Sequence, residues 1–436
     1  MQKYFLTLIL VCLLAVSIVK SQNPWMLTNS PIAGRYDDIS FINKDTGWAV
    51  NSFGLILNTK DGGNTWTTQL NKGLSVYMRS IEFASPKLGF AGALEYNGNN
   101  VFFKTKDGGN TWIDISSVIT GTSRGICGIC CVDTSVTYAV GVFASPAYVM
   151  KTTDGGNTWT QINMGAFASD LVDVQFADKN NGYVTGSSNI ISEGAVILKT
   201  TNGGVTWTKV FTNNSATDNI WKIQNLDGNH WFASIEKNSG TASNACLKSV
   251  DGGNSWQIKT VTTNSALPDH FQVVGFIDSL KGWTGGRVLH QTIDGGNTWT
   301  PIDSVPAVWG QGIFDRFQKV DANTAYMTQR KVTKLQDSWA SIKETQMLPS
   351  EQPQLKVFPN PTKNNFTIIL TIKRKTMYRL RIVDLKGNDV VWEEIGQKEI
   401  AGDYSFKITQ KLIAGTYLVS VMANEGVDYK KIVVTD

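Results

Sequence analysis

Carboxylates are the side chains of this sequence with the most obvious catalytic potential. Glycoside hydrolysis needs two carboxyl groups held at a fixed separation across a sugar. The candidate acids are Asp37, Asp38, Asp170, Asp315, Glu95, Glu193 and Glu236. With seven candidates, the sequence does not single out two acids as a catalytic pair. The three histidines, His230, His270 and His290, lie in no recognisable nucleophile motif. The sequence therefore predicts no catalytic residues.

Thiols are the second candidate chemistry. Cys127 and Cys130 have the Cys-x-x-Cys spacing of redox and zinc motifs, but there is no second such pair and the chain has only three His. Residues 128–132 form a predicted innermost strand, where Cys commonly serves as a small apolar residue. We expect buried structural thiols at Cys127, Cys130, Cys131 and Cys246, with a disulfide as the alternative, and we predict neither metal nor cofactor.

Six near-copies of the octapeptide Thr-x-Asp-Gly-Gly-Asn-Thr-Trp dominate the chain. They end at Trp66, Trp112, Trp159, Trp207, Trp256 and Trp299, and their third positions are Asp61, Asp107, Asp154, Asn202, Asp251 and Asp294. A calcium loop is one interpretation, but the alternating oxygen ligands and the final bidentate Glu are missing. We predict a structural turn in which the glycines supply positive φ and the Asp accepts backbone N–H groups. The Trp is expected to begin the next strand and to pack against the sheet.

Each octapeptide ends a longer repeat. In the first repeat, residues 38–41, 48–50 and 55–57 are short apolar strands separated by turn-forming residues. A period of 43 to 49 residues indicates one supersecondary unit stacked many times. With a decayed seventh copy ending at Trp339, the sequence predicts an all-β, seven-bladed β-propeller over residues 22–341. Residues 25–28 also resemble a fourth strand, which could complete the last blade beside or instead of the Trp339 strand.

In a propeller, the innermost strands of all blades begin at one face, so the residues there share a rim around the central channel. The rim residues that we predict to bind a ligand are Arg35, Asp37, Asp38, Tyr77, Arg79, Arg124, Asp170, Trp221, His270, Trp309, Asp315 and Arg316. Aromatic faces and charged groups suit a peptide or a sugar. Long loops between second and third strands in blades two, four and five favour binding at the same face. The alternative is that these residues cap strand ends and stay solvated.

The octapeptide resembles the Asp-box, or BNR repeat, of sialidases, sortilin-type receptors and xyloglucanases. The longer unit, with the second strand Gly47-Trp48-Ala49-Val50, is similar to photosystem II assembly-factor-like propellers, which are seven-bladed. The resemblance covers about residues 25–345 and implies the fold, whereas Asp-boxes occur in enzymes and non-enzymes alike. Sialidases have Arg-Ile-Pro where this chain has Arg35-Tyr36-Asp37, and xyloglucanases place their site between two propellers. Neither activity is therefore expected.

After a linker at residues 342–354 the pattern changes. Strand-like runs at 366–372, 378–383, 404–408, 416–421 and 431–434 predict a small Ig-like β-sandwich over residues 355–436. Three motifs, Val-x-Pro-Asn-Pro at 357–361, Leu-x-x-Gly-x-Tyr at 412–417 and Lys-Lys-Ile-Val-Val at 430–434, occur in the order that resembles the C-terminal sorting domain of type IX secretion. That family implies export across the outer membrane, usually with removal of the domain. An ordinary Ig-like accessory domain is the alternative.

The N-terminus has the pattern of a signal peptide. Lys3 precedes an apolar run at residues 5–19, and a small residue, Ser21, lies near the expected cut, so residues 1–21 fit a secretory signal. The run is too short for a comfortable membrane span, and we expect no transmembrane segment. Charged residues make up 17% of the chain and the net charge is +4, which does not favour nucleic acid as a partner.

Together these features predict a secreted or outer-surface protein of a Gram-negative bacterium with type IX secretion. We expect residues 355–436 to engage the secretion machinery and the propeller face to bind a protein or a glycan without catalysis. The alternative is a polysaccharide-degrading glycoside hydrolase of Asp-box type that uses two rim carboxylates. A third hypothesis is that the protein is an assembly factor for a membrane complex. Export weakens this hypothesis, because such a factor would need to stay with its client.

Overall fold

The computed structural model describes residues 25–435 except for 95–99, 121–124, 142–145, 238–243, 263–269, 303–311, 336–352, 364, 374–375, 385–389, 399 and 424–425. The described residues are almost entirely strands and turns, so the fold is all-β. The chain forms two compact units, Met1–Leu335 and Gln336–Asp436. None of the helices among the described residues is long and apolar enough to cross a membrane.

The described part of the first unit begins with β1 (Trp25–Leu27) and continues through antiparallel four-stranded sheets. Sheet 1 contains β2 (Tyr36–Phe41), β3 (Gly47–Asn51), β4 (Leu55–Thr59) and β5 (Thr67–Asn71). Sheet 2 contains β6 (Tyr77–Phe83), β7 (Gly89–Leu94), β8 (Phe102–Thr105) and β9 (Ile113–Asp114). Sheet 3 contains β10 (Gly128–Cys131), β11 (Thr137–Gly141), β12 (Tyr148–Thr152) and β13 (Thr160–Asn163).

The remaining sheets of this unit follow the same order. Sheet 4 contains β14 (Ala168–Phe176), β15 (Gly182–Ser188), β16 (Ala195–Thr200) and β17 (Thr208–Thr212). Sheet 5 contains β18 (Asn219–Asn225), β19 (Trp231–Glu236), β20 (Asn244–Ser249) and β21 (Gln257–Thr262). Sheet 6 contains β22 (Val273–Phe276), β23 (Gly282–Gly285), β24 (Leu289–Thr292) and β25 (Thr300–Pro301). Sheet 7 contains β26 (Phe317–Lys319), β27 (Ala325–Thr328) and β28 (Val332–Leu335), and short 3₁₀ turns lie at Ser116–Val118 and Ile191–Glu193.

The octapeptide forms a turn held together by its own side chains. The Asp61 carboxylate accepts the N–H and the O–H of Thr65 at 2.8 and 2.6 Å, and the Thr59 hydroxyl accepts the Gly63 N–H at 2.8 Å. Gly62 and Gly63 have φ of 68° and 93°, which favours glycine. The fourth strand of each sheet that carries an octapeptide begins one residue after its Trp rather than at it, because the turn still uses the Trp position.

The fourth copy shows how the turn tolerates its substitution. Asn202 accepts the Thr206 N–H at 2.9 Å through Oδ1 and donates its amide to the Thr206 hydroxyl at 2.8 Å. Both hydrogen bonds of the Asp version are thereby kept with a neutral side chain. Among the described residues no group of three or more His, Cys, Asp or Glu could hold a metal ion.

Aromatic side chains join neighbouring sheets. Phe83, at the end of β6, stacks on Trp48 of sheet 1 with ring centroids 3.5 Å apart, and Trp112 contacts it edge-on at 5.9 Å. Phe41 is held in the same way between Tyr326 of sheet 7 and Trp66. The other octapeptide residues Trp159, Trp207, Trp256 and Trp299 contact Phe90, Phe176, Tyr183 and Phe276 edge-on. Sheet 7 therefore packs on sheet 1 as the intervening sheets pack on one another.

The N-terminal strand supplies the outer strand of sheet 7. Strand β1 pairs with β28, with Trp25 opposite Leu335. Trp25 contacts Phe317 edge-on at 6.0 Å, which is the contact that an octapeptide Trp makes in other sheets. The N-terminal strand is therefore the strand that completes sheet 7 in the described part of the chain. Trp339 lies outside the described residues.

The second unit consists of two antiparallel sheets. One contains β29 (Gln354–Phe358), β30 (Phe366–Ile372) and β33 (Gly402–Ile408), and the other contains β31 (Thr376–Asp384), β32 (Val390–Lys398), β34 (Gly415–Ala423) and β35 (Gly426–Val434). Both sheets contribute to one core, which includes Leu355, Ile368, Leu380, Val419 and Ile432. Strand β32, which pairs with β31, is absent from the sequence prediction, although its Val390, Trp392 and Ile395 favour a strand.

Candidate functional site

The first strands of the sheets run parallel to one another around a central channel. Asp38 Oδ2 accepts the Ile81 N–H at 3.1 Å, and Ser40 Oγ accepts the Phe83 N–H at 3.0 Å. Strands β2 and β6 therefore run side by side in the same direction. Each first strand packs beside the next, and β26 packs beside β2. The first strands therefore begin at one common face, which we call the upper face. The octapeptide turns lie at the opposite ends of the sheets, which we call the box face.

Four predicted rim residues form a buried ion-pair cluster just below the upper face. Asp37 receives the guanidinium groups of both Arg35 and Arg79, with Arg35 Nε 2.8 Å from Asp37 Oδ1. Arg35 also pairs with Asp315. The side chains of Asp37 and Asp315 have no exposed surface, and that of Arg35 is 20% exposed. The carboxylates of Asp37 and Asp315 neither cap strand ends in solvent nor stand free for a ligand, because ring closure turns them towards the arginines.

Burial is the main influence on the protonation of this cluster. It raises the pKa of Asp315 to about 7, although Arg35 opposes the shift. Burial lowers the pKa of Arg35, but the carboxylates of Asp315 and Asp37 outweigh it and leave that pKa raised. The arginines therefore stay charged while Asp315 lies close to its protonation point at neutral pH.

A second cluster crosses the channel. Arg316 Nε donates to Asp38 Oδ1 at 2.6 Å, and its Nη1 and Nη2 donate to the two oxygens of Asp173 at 3.0 and 2.9 Å. Asp173 also accepts the Ile223 N–H at 2.9 Å. One guanidinium group thus ties sheets 7, 1 and 4 together, with the bidentate geometry that makes arginine–carboxylate pairs strong.

Asp173 is absent from the sequence prediction. A signal was present, because aligning the first strands on their terminal Phe41 and Phe176 puts Asp38 and Asp173 at the same repeat position. An acid in the middle of two otherwise apolar innermost strands indicates a shared buried cation.

A third group lies between sheets 2, 5 and 6 at the channel mouth. The buried Glu236 carboxylate accepts the Trp221 indole N–H, contacts His270 Nδ1 and accepts the Gln272 amide at 3.2 Å. The Arg79 guanidinium lies 5.0 Å from the Trp221 ring centroid. The His270 side chain is 41% exposed, so it marks the solvent edge of the group.

The remaining predicted site residues are more dispersed. Asp170 is half-buried in sheet 4 and accepts the Asn219 amide at 3.2 Å, and burial raises its pKa. Tyr77 is half-buried, and burial together with Asp37 raises its pKa. Glu193 pairs with Lys209 at 2.6 Å. Arg124, Trp309 and Glu95 lie outside the described residues.

A cavity of about 390 Å³ lies at the lower end of the channel, where the first strands finish. We call it the box-side cavity, and its wall includes Glu82, Cys130, Lys222 and Arg316. Burial, with Asp38 adding to it, raises the pKa of Glu82 to about 8, and burial followed by Arg316 lowers the pKa of Lys222 to about 8. The sequence prediction missed this cavity because it considered only the starts of the first strands.

The four described cysteines are free thiols. Cys127, Cys130 and Cys246 are buried, Cys131 is half-buried, and Cys130 Sγ accepts the Phe176 N–H at 3.3 Å. Burial raises the pKa of Cys130 and of Cys246 to about 12. These thiols act as small core side chains rather than as nucleophiles.

Comparison with known proteins gives two family matches. Residues 356–435 match the secretion system C-terminal sorting domain, and residues 17–129 match photosynthesis system II assembly factor YCF48. The chain joins a YCF48-like propeller to a type IX sorting domain. This sorting domain implies contact with the secretion machinery and indicates export to the cell surface or the extracellular space. No curated protein matched the sequence.

Solved structures show the same propeller fold. YCF48 bound to D1 peptide aligns with 72% of this chain and 97% of that chain at 17% identity and a TM-score of 0.54. YCF48 from Cyanidioschyzon merolae aligns with 72% and 99% at 17% identity and a TM-score of 0.52. The GH74 xyloglucanase from Xanthomonas campestris aligns with 80% of this chain and 59% of that chain at 14% identity and a TM-score of 0.55. Similarity at these identities concerns the fold, and it includes an enzyme as well as a non-enzyme.

Proposed function

We propose that this chain is an exported, non-catalytic, seven-bladed propeller that binds a segment of another protein at its upper face. Seven four-stranded sheets in the described part of the first unit, with β26 packed beside β2, support the blade number. The two packed sheets of the second unit support an Ig-like sandwich. We assign residues 1–21 to a signal peptide, 22–341 to the propeller, 342–354 to a linker and 355–436 to the sorting domain.

The observation that carries the proposal is the engagement of three rim carboxylates, those of Asp37, Asp38 and Asp315, by arginines. Asp37 and Asp315 share Arg35, and Asp38 bonds to Arg316. A glycosidase needs one carboxyl group poised as an acid and a second that is free to attack or to activate water. Carboxylates that are fully buried and bonded to guanidinium groups cannot reach a sugar, even where burial raises a pKa as it does for Asp315, so this part of the rim is suited to binding rather than to hydrolysis.

Exposed apolar side chains on the upper-face loops supply contact area for a polypeptide. Phe53 lies in the loop between β3 and β4, Leu74 lies between sheets 1 and 2, and Ile191 lies between β15 and β16. Leu74 and Ile191 are 77% and 79% exposed. Apolar groups around a polar centre are typical of protein-binding surfaces.

The channel mouth supplies the polar part of such a surface. Arg35 is partly exposed, His270 is largely exposed at the edge, and Trp221 offers an indole face fixed by Glu236. These groups can orient a peptide through its backbone and its charged side chains. The similar YCF48 structure contains a D1 peptide, which supports a peptide as the class of ligand.

Selection of linear peptides on the purified full chain tests the proposal. We expect selected peptides to lose about tenfold or more in affinity for Trp221→Ala and Leu74→Ser, because aromatic and apolar anchors dominate such interfaces. The matched control is Val205→Ser, whose side chain is 78% exposed on the opposite, box face. It should leave the affinity unchanged.

Parallel glycan-array and reducing-sugar assays distinguish the alternatives. Binding of glycans without peptides would overturn the protein ligand. Sugar release that Asp38→Asn or Asp170→Asn abolishes would overturn the non-catalytic assignment and favour the hydrolase. Peptide affinity that falls equally for Val205→Ser would overturn the upper face as the site.

A further inference from the structure

The wall of the box-side cavity is polar, and the arrangement of the innermost strands explains why. The innermost strand of a propeller blade turns the edge of its backbone towards the channel, so peptide groups form much of the wall. Two of these N–H groups are already bonded by side chains of the neighbouring sheet: Ile223 N–H by Asp173 Oδ2 at 2.9 Å and Phe176 N–H by Cys130 Sγ at 3.3 Å. The cavity of about 390 Å³ is large enough for a small organic molecule.

Lys222 differs from these bonded groups of the wall, because its side-chain nitrogen has no hydrogen-bond partner among the described residues. The residue is 2% exposed. A buried ammonium group without an acceptor is strongly disfavoured, and buried charges in proteins are almost always paired. Lys222 lines the cavity, so an acceptor for it can enter from there.

The neighbouring carboxylates are occupied elsewhere. Asp38 accepts Arg316 Nε at 2.6 Å and the N–H groups of Ile39 and Ile81 at 3.0 and 3.1 Å. Asp173 accepts two N–H groups of Arg316 and the Ile223 N–H. The oxygens of both acids are therefore engaged by one arginine and by backbone donors, and neither acid bonds to Lys222.

We propose that the box-side cavity is a binding site for a small monocarboxylate, whose oxygens accept hydrogen bonds from Lys222 Nζ. A single carboxylate group supplies the hydrogen-bond acceptor that Lys222 Nζ lacks among the described residues. A doubly charged phosphate would place an additional charge close to Asp38 and Asp173 and would be repelled. Glu82, in the same wall, can donate its carboxyl proton to a further oxygen of the ligand.

This site is separate from the proposed peptide surface. The peptide surface lies at the starts of the first strands, and the cavity lies at their ends, with the ion pairs of Arg316 between sheets 7, 1 and 4. Failure of peptide binding would therefore leave the carboxylate site untouched, and the reverse also holds.

Acetate and acetamide are matched probes, because they have the same shape and differ in charge. Calorimetric titration of the full chain at pH 7 should show acetate binding at least about tenfold more tightly than acetamide, since a hydrogen bond to a charged group is worth more than a neutral one. Lys222→Met should remove this preference. Lys60→Met, at an exposed octapeptide position, should retain it. A crystal grown with acetate should show the ion on Lys222 Nζ.

The pH dependence provides a second readout that needs no variant. The charged groups acting on Lys222 are Arg316, Asp173, Asp38 and Arg79. Lys222 and Glu82 of the cavity wall each have a pKa near 8, and both lose a proton above it. Acetate affinity should thus fall at least about tenfold between pH 7 and pH 9.5, because the donor cation is lost and a carboxylate appears. Equal binding of acetate and acetamide, a pH-independent affinity, or a cavity that holds only water at saturating acetate would each overturn the proposal.

Discussion

Arg316 and Asp173 are 143 residues apart in the sequence and meet across the channel through two hydrogen bonds of 3.0 and 2.9 Å. The Asp173 side chain is 1% exposed and the Arg316 side chain 13% exposed. This pair joins sheet 7 to sheet 4, which do not adjoin in chain order. It therefore stabilises the ring as a whole rather than a single sheet.

Asp173→Ala should destabilise the propeller by about 3–5 kcal/mol, because it leaves the buried Arg316 guanidinium without its bidentate partner. Equilibrium unfolding in urea, followed by tryptophan fluorescence, measures the change. The control is Glu193→Gln, which breaks the more exposed pair with Lys209 and should change the midpoint little. Equal effects of the two variants would show that the crossing pair has no special part in stability.

Trp25→Ala should destabilise the propeller by about 3–5 kcal/mol, since a buried Trp is removed from a packed cluster. Trp25 is 2% exposed and supports the closing strand of sheet 7. Met26→Ala in the same strand is the matched control, because Met26 is 48% exposed, and it should change the free energy of unfolding by less than about 0.5 kcal/mol. A small effect of Trp25→Ala would mean that β1 does not close the ring in solution.

The octapeptide carboxylates should make stability fall in acid. Hydrogen bonds from the Thr111 side chain and backbone lower the pKa of Asp107 to about 2 from its usual value of 3.8. A lowered pKa in the folded state stabilises it fully above about pH 4, and this contribution is lost as the pH falls towards 2. Asp107→Asn should be less stable than the unmodified protein at pH 7, and the two should converge as the pH falls to about 2 in urea titrations. A difference that persists at low pH would contradict this origin.

The thiols should be unreactive until the protein unfolds. Burial raises the pKa of Cys130 to about 12, so almost no thiolate is present at pH 8. A thiol reagent such as 5,5′-dithiobis(2-nitrobenzoic acid) should label none of Cys127, Cys130, Cys131 and Cys246 in the folded protein and all of them in denaturant without reductant. Fewer labelled thiols in denaturant would reveal a disulfide.

Much of the local structure could be predicted from sequence. The Asp-Gly-Gly turn, the strands on either side of it and the innermost position of Cys130 follow from turn chemistry and strand periodicity, which act over a few residues. Strand β32 was missed although its apolar residues favour a strand. The rim residues that the structure describes lie near the starts of the first strands, and their ion pairs were not predicted.

The sequence by itself determined the repeated four-stranded unit, the hydrogen bonds within its turn and the sorting domain, because each depends on residues close together in the chain. Only the tertiary structure decided that Asp37 and Asp315 pair with Arg35 and that Asp38 pairs with Arg316. It also decided that Lys222 Nζ has no hydrogen-bond partner among the residues that the structure describes. The physical reason is that closing the sheets into a ring brings side chains of different repeats into one low-dielectric channel. Whether a charge there is solvated, paired or left for a ligand depends on all of its neighbours at once.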